Sequence, residues 1–272
     1  MYRKPPSTIH LIVFSILVFS AFSLRAFSQQ TAPPALSPNE MQEERAKVQM
    51  AEKRYEAAIQ SYQDLLKLEP KNGQKNAVFL NMIGIAYLDL GNYDQAKRSF
   101  ARSAKADKKY ASAVNNLGMV YYHQKNFRSA IREYQRAVAI DPAQAGAHSN
   151  LGFAYYNSNK FPEAAAEFQK ALEIDPLIFE RNDRAGAVVQ DRSVNNHGLF
   201  FFTMAKVYAQ KGDAAHCAQY LRKSLDEGYK DVGKAATDPE FKDVINDPAV
   251  QDVLLRVTPP EQQKTTATHP GA

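Results

Sequence analysis

Gly84, Gly118 and Gly152 stand 34 residues apart, and they do not recur alone. Tyr87, Tyr121 and Tyr155 keep the same interval, as do Ala96, Ala130 and Ala164, and Phe100, Tyr134 and Phe168. Pro142 and Pro176 close two of the copies. Most polar residues between these positions change from copy to copy. A chain that repeats its small, aromatic and apolar residues at a fixed interval builds the same local unit each time. Units of this size bury their apolar faces only by stacking on one another.

Within one copy the pattern is that of two helices. Leu117, Gly118 and Tyr121 fall on one helical face. Gly118 lets a second helix approach closely, and Ala130 supplies the small partner on that helix. Tyr134 and Ala137, four and seven residues after Ala130, extend the second helix's apolar stripe. Between the helices, QKNF (124–127) and NSNK (157–160) supply polar turn residues. Asp141-Pro142 ends the second helix, because proline disfavours helical backbone in the residue before it. Each unit is thus a helical hairpin with one apolar face left for a neighbour to cover.

This order of residues resembles the tetratricopeptide repeat (TPR) family, most specifically over residues 77–176, units two to four. Unit one, residues 39–72, matches through Ala46, Tyr55, Ala58, Tyr62 and Pro70, with Gln49 where the first-helix aromatic would stand. Gly73 to Asn76 separate it from unit two, whose closing proline is replaced by Lys108. A fifth unit carries Ala205, Tyr208, Gly212, Cys217, Leu221 and Ser224 in matching order. Ala205 lies 53 residues after Gly152, so 19 extra residues precede it. Gly228 marks a helix end. Thr237 and Glu240 then have capping-box spacing, and Asn246-Asp247-Pro248 restarts a helix. Phe241, Val244, Val250, Val253 and Leu254 are placed to cover the open end of the stack, as terminal caps do in solenoids. The resemblance implies an all-α fold, a right-handed α-solenoid of stacked helical hairpins with a C-terminal capping helix segment. The expected organisation is units one to four over 41–176, an inserted segment over 177–197 and unit five over 198–230. Capping helices follow over 231–256, with a disordered tail over 257–272.

The N-terminus belongs to a different category. Arg3 and Lys4 precede a 14-residue apolar run, Leu11 to Leu24, followed by the small-residue site Ala26-Phe27-Ser28. That is the layout of a secretory signal over residues 1–28, and the run is short for a membrane span. An uncleaved signal anchor is the alternative. Residues 29–40 are Pro-rich and polar and suit a flexible linker. Removing residues 1–28 takes Arg3, Lys4 and Arg25 from the 34 basic residues, leaving 31 against 29 acidic ones and a net charge of +2. The basic pI is therefore partly a targeting feature, and it gives no ground for nucleic-acid binding. The single cysteine, Cys217, excludes an internal disulfide framework and reads as a buried structural thiol.

No pattern demands catalysis. The sequence has no GxxxxGK[ST] phosphate loop, no GxGxxG after a strand, no HExxH and no GxSxG. His123, His148, His197, His216 and His269 are scattered without metal-ligand spacing. His216 and Cys217 are adjacent, which on a helix turns them about 100° apart. Asp238 and Glu240 read as helix-start residues. No enzyme, metal or cofactor is expected.

The resemblance further implies that one side of each first helix lines a concave groove. Asn81, Ile85 and Asp89 of unit two would join Asn115, Met119, Tyr122 and His123 of unit three, with Ser149, Phe153, Tyr156 and Asn157 from unit four. Tyr121, Tyr155 and Tyr208 belong instead to the packing between helices. Aromatic and apolar side chains interleaved with amides and hydroxyls suit an extended peptide or a partner helix. TPR proteins that grip a C-terminal carboxylate place Lys, Asn and Arg side chains at fixed groove positions, where this chain has Asn81, Ile85, Asn116, Gly146 and Asn150. The charges that would hold a carboxylate are missing. Arg181, Arg184 and Arg192, with Asp183 and Asp191, make the insertion either a contact surface or a solvated loop. The function expected is therefore a non-catalytic scaffold that binds a protein or peptide in the periplasm or outside the cell. The alternative is a membrane-anchored accessory subunit organising an envelope assembly or secretion complex, with a membrane partner only if the N-terminal segment stays uncleaved.

Overall fold

The computed structural model describes residues 36–68, 70, 72–180 and 196–257. The expected signal (1–28), the linker up to residue 35, residues 181–195 of the insertion and the tail from 258 lie outside the described residues. Among the described residues there are eleven α-helices and no strand. They form five consecutive hairpins: α1 (Pro38–Ala51) with α2 (Tyr55–Leu68), α3 (Gly73–Asp89) with α4 (Tyr93–Ala106), α5 (Ala111–His123) with α6 (Phe127–Ile140), α7 (Ala145–Tyr156) with α8 (Phe161–Ile174), and α9 (His197–Gln210) with α10 (Ala214–Asp226). Two 3-10 turns, Val232–Ala236 and Pro239–Phe241, lead to α11 (Pro248–Val257). Each second helix also packs on the first helix of the next hairpin. The fold is an α-solenoid.

The repeated glycines carry the packing inside each hairpin. A Cβ on Gly118 would lie 2.7 Å from Cδ1 of Tyr134, and one on Gly84 or Gly152 would lie 2.5 Å from a ring carbon of Phe100 or Phe168. Real Cβ atoms do not approach so closely, so each ring lies on bare backbone. The three rings are fully buried. In units two and five a hydroxyl adds a tie at one equivalent position. Ser103 Oγ donates to the carbonyl of Ala77 at 2.5 Å, and Ser224 Oγ donates to that of Gly198 at 2.7 Å.

The turns repeat as faithfully. One residue per hairpin takes positive φ: Lys53, Gly91, Lys125, Asn159 and Gly212, between 57° and 72°. Only two are glycine, so three units accept the cost of a side chain in the left-handed region. Asn92, Asn126 and Asp213 then cap the second helices, their side-chain oxygens accepting from Gln95, Ser129 and His216 backbone N–H groups. The second helices end at the residue before Asp107, Asp141 and Asp175, each in extended conformation.

Three local expectations need correction. The first helix begins inside the expected linker, because Ser37 and Glu40 form a complete capping box with Pro38 in the first turn. The Thr237–Glu240 capping box does not form. Asp238 accepts from the Glu240 backbone N–H, while the Thr237 hydroxyl donates to the Lys234 carbonyl. The inserted segment is shorter than drawn, since Asn196 caps α9 by accepting from Leu199 N–H. At the far end Phe241, Val244, Val250, Val253 and Leu254 are all buried and cover the last hairpin.

Candidate functional site

First and second helices play unequal parts. Ten of the 13 residues of α5 and nine of the 12 of α7 are buried, whereas α4, α6 and α8 each bury a single stripe of four. A first helix is enclosed by its own partner, the preceding second helix and the neighbouring first helices. That enclosure decides what a groove can be.

The expected groove residues share one side of α3, α5 and α7, but eight of the eleven are sealed. Asn81, Asn115, Met119, Tyr122, Ser149, Phe153, Tyr156 and Asn157 are buried, Ile85 is half-buried, and Asp89 and His123 are exposed. An open groove lined by all eleven is therefore not what the chain folds into.

The aromatic members are covered by rings. Tyr122 meets Phe127, the residue that opens its own second helix, edge to face at 5.3 Å. Tyr156 meets Phe161 in the same way at 5.2 Å, and Phe200 of the next unit at 5.6 Å. Phe153 stacks on Phe200 at 5.5 Å and takes the edge of Phe168 at 5.1 Å. Such geometries are those that aromatic quadrupoles favour. The Tyr156 hydroxyl donates to the carbonyl of Asn196 at 2.7 Å, which fixes the start of α9 against unit four. Tyr121 and Tyr155, expected in the packing layer, are only half-buried, with Lys97 and Lys160 each 5.7 Å over a ring. Tyr208 is buried and stacks on His216 and Tyr220.

The amide members bond to side chains of the neighbouring first helices. Asn116 Nδ2 donates to Asn81 Oδ1 at 2.9 Å, and Asn150 Nδ2 donates to Asn115 Oδ1 at 2.9 Å. Asn115 Nδ2 joins the two pairs through Asn116 Oδ1 at 3.3 Å. Asn157 Nδ2 donates to the Tyr122 hydroxyl. These buried amides link α3, α5 and α7 into one row, with Asn157 Oδ1 and Ser149 Oγ left without a hydrogen-bond partner among the described residues.

What stays accessible is the end of the groove beside the helix turns of units two and three. Tyr93, at the start of α4, stacks on His123 at the end of α5, centroids 5.9 Å apart. Tyr93 is the unit-two counterpart of Phe127 and Phe161, each 34 residues on. There the first-helix counterpart of Tyr122 is Leu88, so the Tyr93 ring is 36% exposed. Leu90, Gly91, Asn92, Tyr93, Asp94 and Gln124 line an open depression of about 470 Å³ next to it. Ile85, Asp89 and the 40% exposed Val78 continue this strip along α3. Sequence reasoning missed Tyr93, although its recurrence with Phe127 and Phe161 was visible.

Among the described residues, no group of three His, Cys, Asp or Glu side chains is gathered to hold a metal. Burial pushes the Cys217 thiol up to about 12, so it stays protonated and unreactive. His216 is held away from Cys217, its Nδ1 at 2.7 Å from Asp213 and its Nε2 at 3.1 Å from Glu180. Among the described residues no helix is long and apolar enough to cross a membrane.

Tetratricopeptide repeat family models match residues 40–72, 81–145 and 145–178. The chain is a tetratricopeptide repeat protein. Among solved structures it is similar to MamA residues 41-end from Desulfovibrio magneticus RS-1, at 20% identity and a TM-score of 0.48, over 71% of this chain and 97% of that one. YrrB, a TPR protein with an unusual peptide-binding site, is 21% identical with a TM-score of 0.44, over 67% of this chain and 82% of its own. The first TPR of Spaghetti (RPAP3), bound to the HSP90 peptide SRMEEVD, is 25% identical with a TM-score of 0.37, over 42% of this chain and 86% of that one. No curated protein matches the sequence.

Proposed function

We propose that this protein is a non-catalytic interaction scaffold that binds a peptide or partner helix, and that it does so through the accessible strip of units two and three. The observation that carries the reading is the Tyr93–His123 pair, which stands exposed beside Ile85 and Asp89 while Phe127 and Phe161, the counterparts of Tyr93, are half-buried against the sealed Tyr122 and Tyr156. A rigid aromatic flanked by a carboxylate and aliphatic carbon offers an anchor with little entropy to lose on binding. Packed first helices behind it hold these side chains in place without rearrangement. The peptide-bound TPR and the peptide-binding TPR protein among the similar structures are consistent with this class of ligand.

The site of action is proposed to be outside the bacterial cytoplasm, on the ground of the charged, apolar and small-residue order of residues 1–28. N-terminal sequencing of the mature protein tests that part: a start near Gln29 supports export with cleavage, and an intact Met1 rejects it. The binding reading is tested by affinity capture with a Tyr93→Ala/His123→Ala variant whose helical circular dichroism matches the wild type. Loss of the captured polypeptide supports the strip, and undiminished capture rejects it.

A further inference from the structure

Charge is distributed unevenly along the solenoid. Residues 94–140 contain ten Lys or Arg and three Asp or Glu, a net charge of +7 in a chain whose total is +5. The rest of the protein together is therefore slightly acidic. The excess lies on the second helices of units two and three. Arg98, Arg102 and Lys105 follow one another on α4 at i, i+4 and i+7, and Arg128, Arg132 and Arg136 follow on α6 at i, i+4 and i+8. Both series are stripes on one helical face, each running roughly 10–12 Å along its helix. Arg132 and Arg136 repeat Arg98 and Arg102 after 34 residues, so they take the same outward place on successive hairpins. All six side chains are exposed.

Little neutralises this surface. Arg132 and Arg136 flank Glu133, whose side chain is 5% exposed, so that one buried carboxylate is shared by two guanidinium groups. Among the described residues, Arg98, Arg102, Lys105 and Arg128 have no carboxylate partner. The neighbouring second helix is of the opposite sign, with Glu163, Glu167 and Glu173 on α8. The basic face is thus a bounded patch and not a property of the whole solenoid.

We propose that this patch docks the protein on a bilayer surface rich in anionic phospholipid headgroups. Residues 94–140 expose no large apolar side chain. A specific protein interface is anchored by buried aromatic or aliphatic groups, and single-stranded nucleic acid is held by stacking on aromatics; the patch offers neither. A second copy of the chain is a poor match. Glu167 is already engaged by Lys170 and His148 and Glu173 accepts from Gln169, which leaves Glu163 as the free carboxylate of α8 against four unpaired cations. Planar guanidinium forks presented in two parallel rows suit the many phosphates of a headgroup layer, and an anionic leaflet attracts such clusters without insertion. Docked this way, the second helices of units two and three face the bilayer. The Tyr93–His123 strip belongs to the turn end of the same units.

Vesicle sedimentation with the full-length chain tests this. Binding to vesicles of phosphatidylcholine containing about 40% phosphatidylglycerol is compared with binding to pure phosphatidylcholine, so that any contribution of the apolar N-terminal run is common to both. The expected result is a preference for the anionic vesicles of at least tenfold, abolished by raising salt from about 0.05 to 0.5 M. An Arg98→Gln/Arg102→Gln/Lys105→Gln/Arg128→Gln variant leaves the partners of Glu133 in place. It should lose on the order of 10- to 1000-fold of that preference. A Lys211→Gln/Lys230→Gln/Lys242→Gln variant should keep it. Equal binding to both vesicles, or an unchanged preference in the fourfold variant, overturns the proposal. So does binding of duplex DNA or polyglutamate by a protein that ignores the anionic vesicles.

Discussion

Asn150 on α7 donates its side-chain amide to Oδ1 of Asn115 on α5, 35 residues earlier, at 2.9 Å in a fully buried setting. The same spacing joins Asn116 to Asn81 and Asn157 to Tyr122. One residue more than the repeat carries the side chain to the edge of its helix that faces the preceding unit. The row of amides thereby works as a register device between first helices. Replacing Asn115 by Leu removes the acceptor for Asn150 and the donor for Asn116, and should destabilise the protein by about 1–3 kcal/mol. Urea denaturation of Asn115→Leu, Asn150→Leu and the double variant checks this. The double variant should cost less than the sum of the singles, because both partners of one hydrogen bond are then gone. Additive costs would show that the two amides are not coupled.

Gly118 and Tyr134 make a second, steeper test. With 2.7 Å between a hypothetical Cβ and the ring, Gly118→Ala forces the two helices of unit three apart. The expected cost is about 1–3 kcal/mol despite alanine's better helix propensity. In a Tyr134→Leu background the same substitution should cost distinctly less, since the ring it strikes is absent. Thermal unfolding of the four proteins reads this directly, and an equal cost in both backgrounds would contradict the contact.

The C-terminal cap should respond to pH through one cluster. Lys206 on α9 lies 2.6 Å from both Asp238 and Glu240. Partial burial pushes Asp238 up, and the hydrogen bonds from Lys206 and the Glu240 backbone outweigh it, leaving the carboxyl below its usual range. Burial likewise pulls Lys206 down, but the two carboxylates hold it above its ordinary value. A depressed acid stabilises fully above its unfolded pKa, about 4, and loses that contribution as pH falls through the folded value. A raised lysine stabilises fully below about 10.5 and loses its contribution as pH rises further. Lys206→Met should therefore cost about 1 kcal/mol on the plateau between roughly pH 5 and 10, and much less near pH 2. Urea midpoints of both proteins at pH 7 and pH 2 decide it. An equal loss at the two pH values would assign Lys206 a packing role only, through its place 5.6 Å over the Phe202 ring.

Much of the fold was legible because the period marks residues whose job is local. Gly118, Ala130 and Tyr134 belong to one hairpin, and their order implies its close approach, although the side chain that meets Gly118 is the Tyr134 ring and not Ala130. The Ser37–Glu40 capping box was equally open to reading, but the prolines around it suggested a linker. The groove was less legible for a physical reason. Whether Tyr122 is a lining residue or a core residue depends on Phe127, five residues away around a turn, and whether Phe153 is depends on Phe200 beyond the insertion. Helical phase places such side chains on a face but does not say what covers it. Truncating Tyr122 and Tyr156 would thus disturb packing before it touched a ligand. Cys217 shows the opposite case, a buried small residue whose position in the repeat was enough.

The central claim is that partner polypeptide meets the first-helix side of units two and three at the Tyr93–His123 strip. Site-specific photo-crosslinking in the native cell tests it most directly, with a photoreactive phenylalanine at Ile85, at His123 or, on the exposed face of the second helix, at Ala139. The account predicts one shared polypeptide adduct from positions 85 and 123 and none from 139. Adducts from 139 with none from 85 and 123 would contradict it.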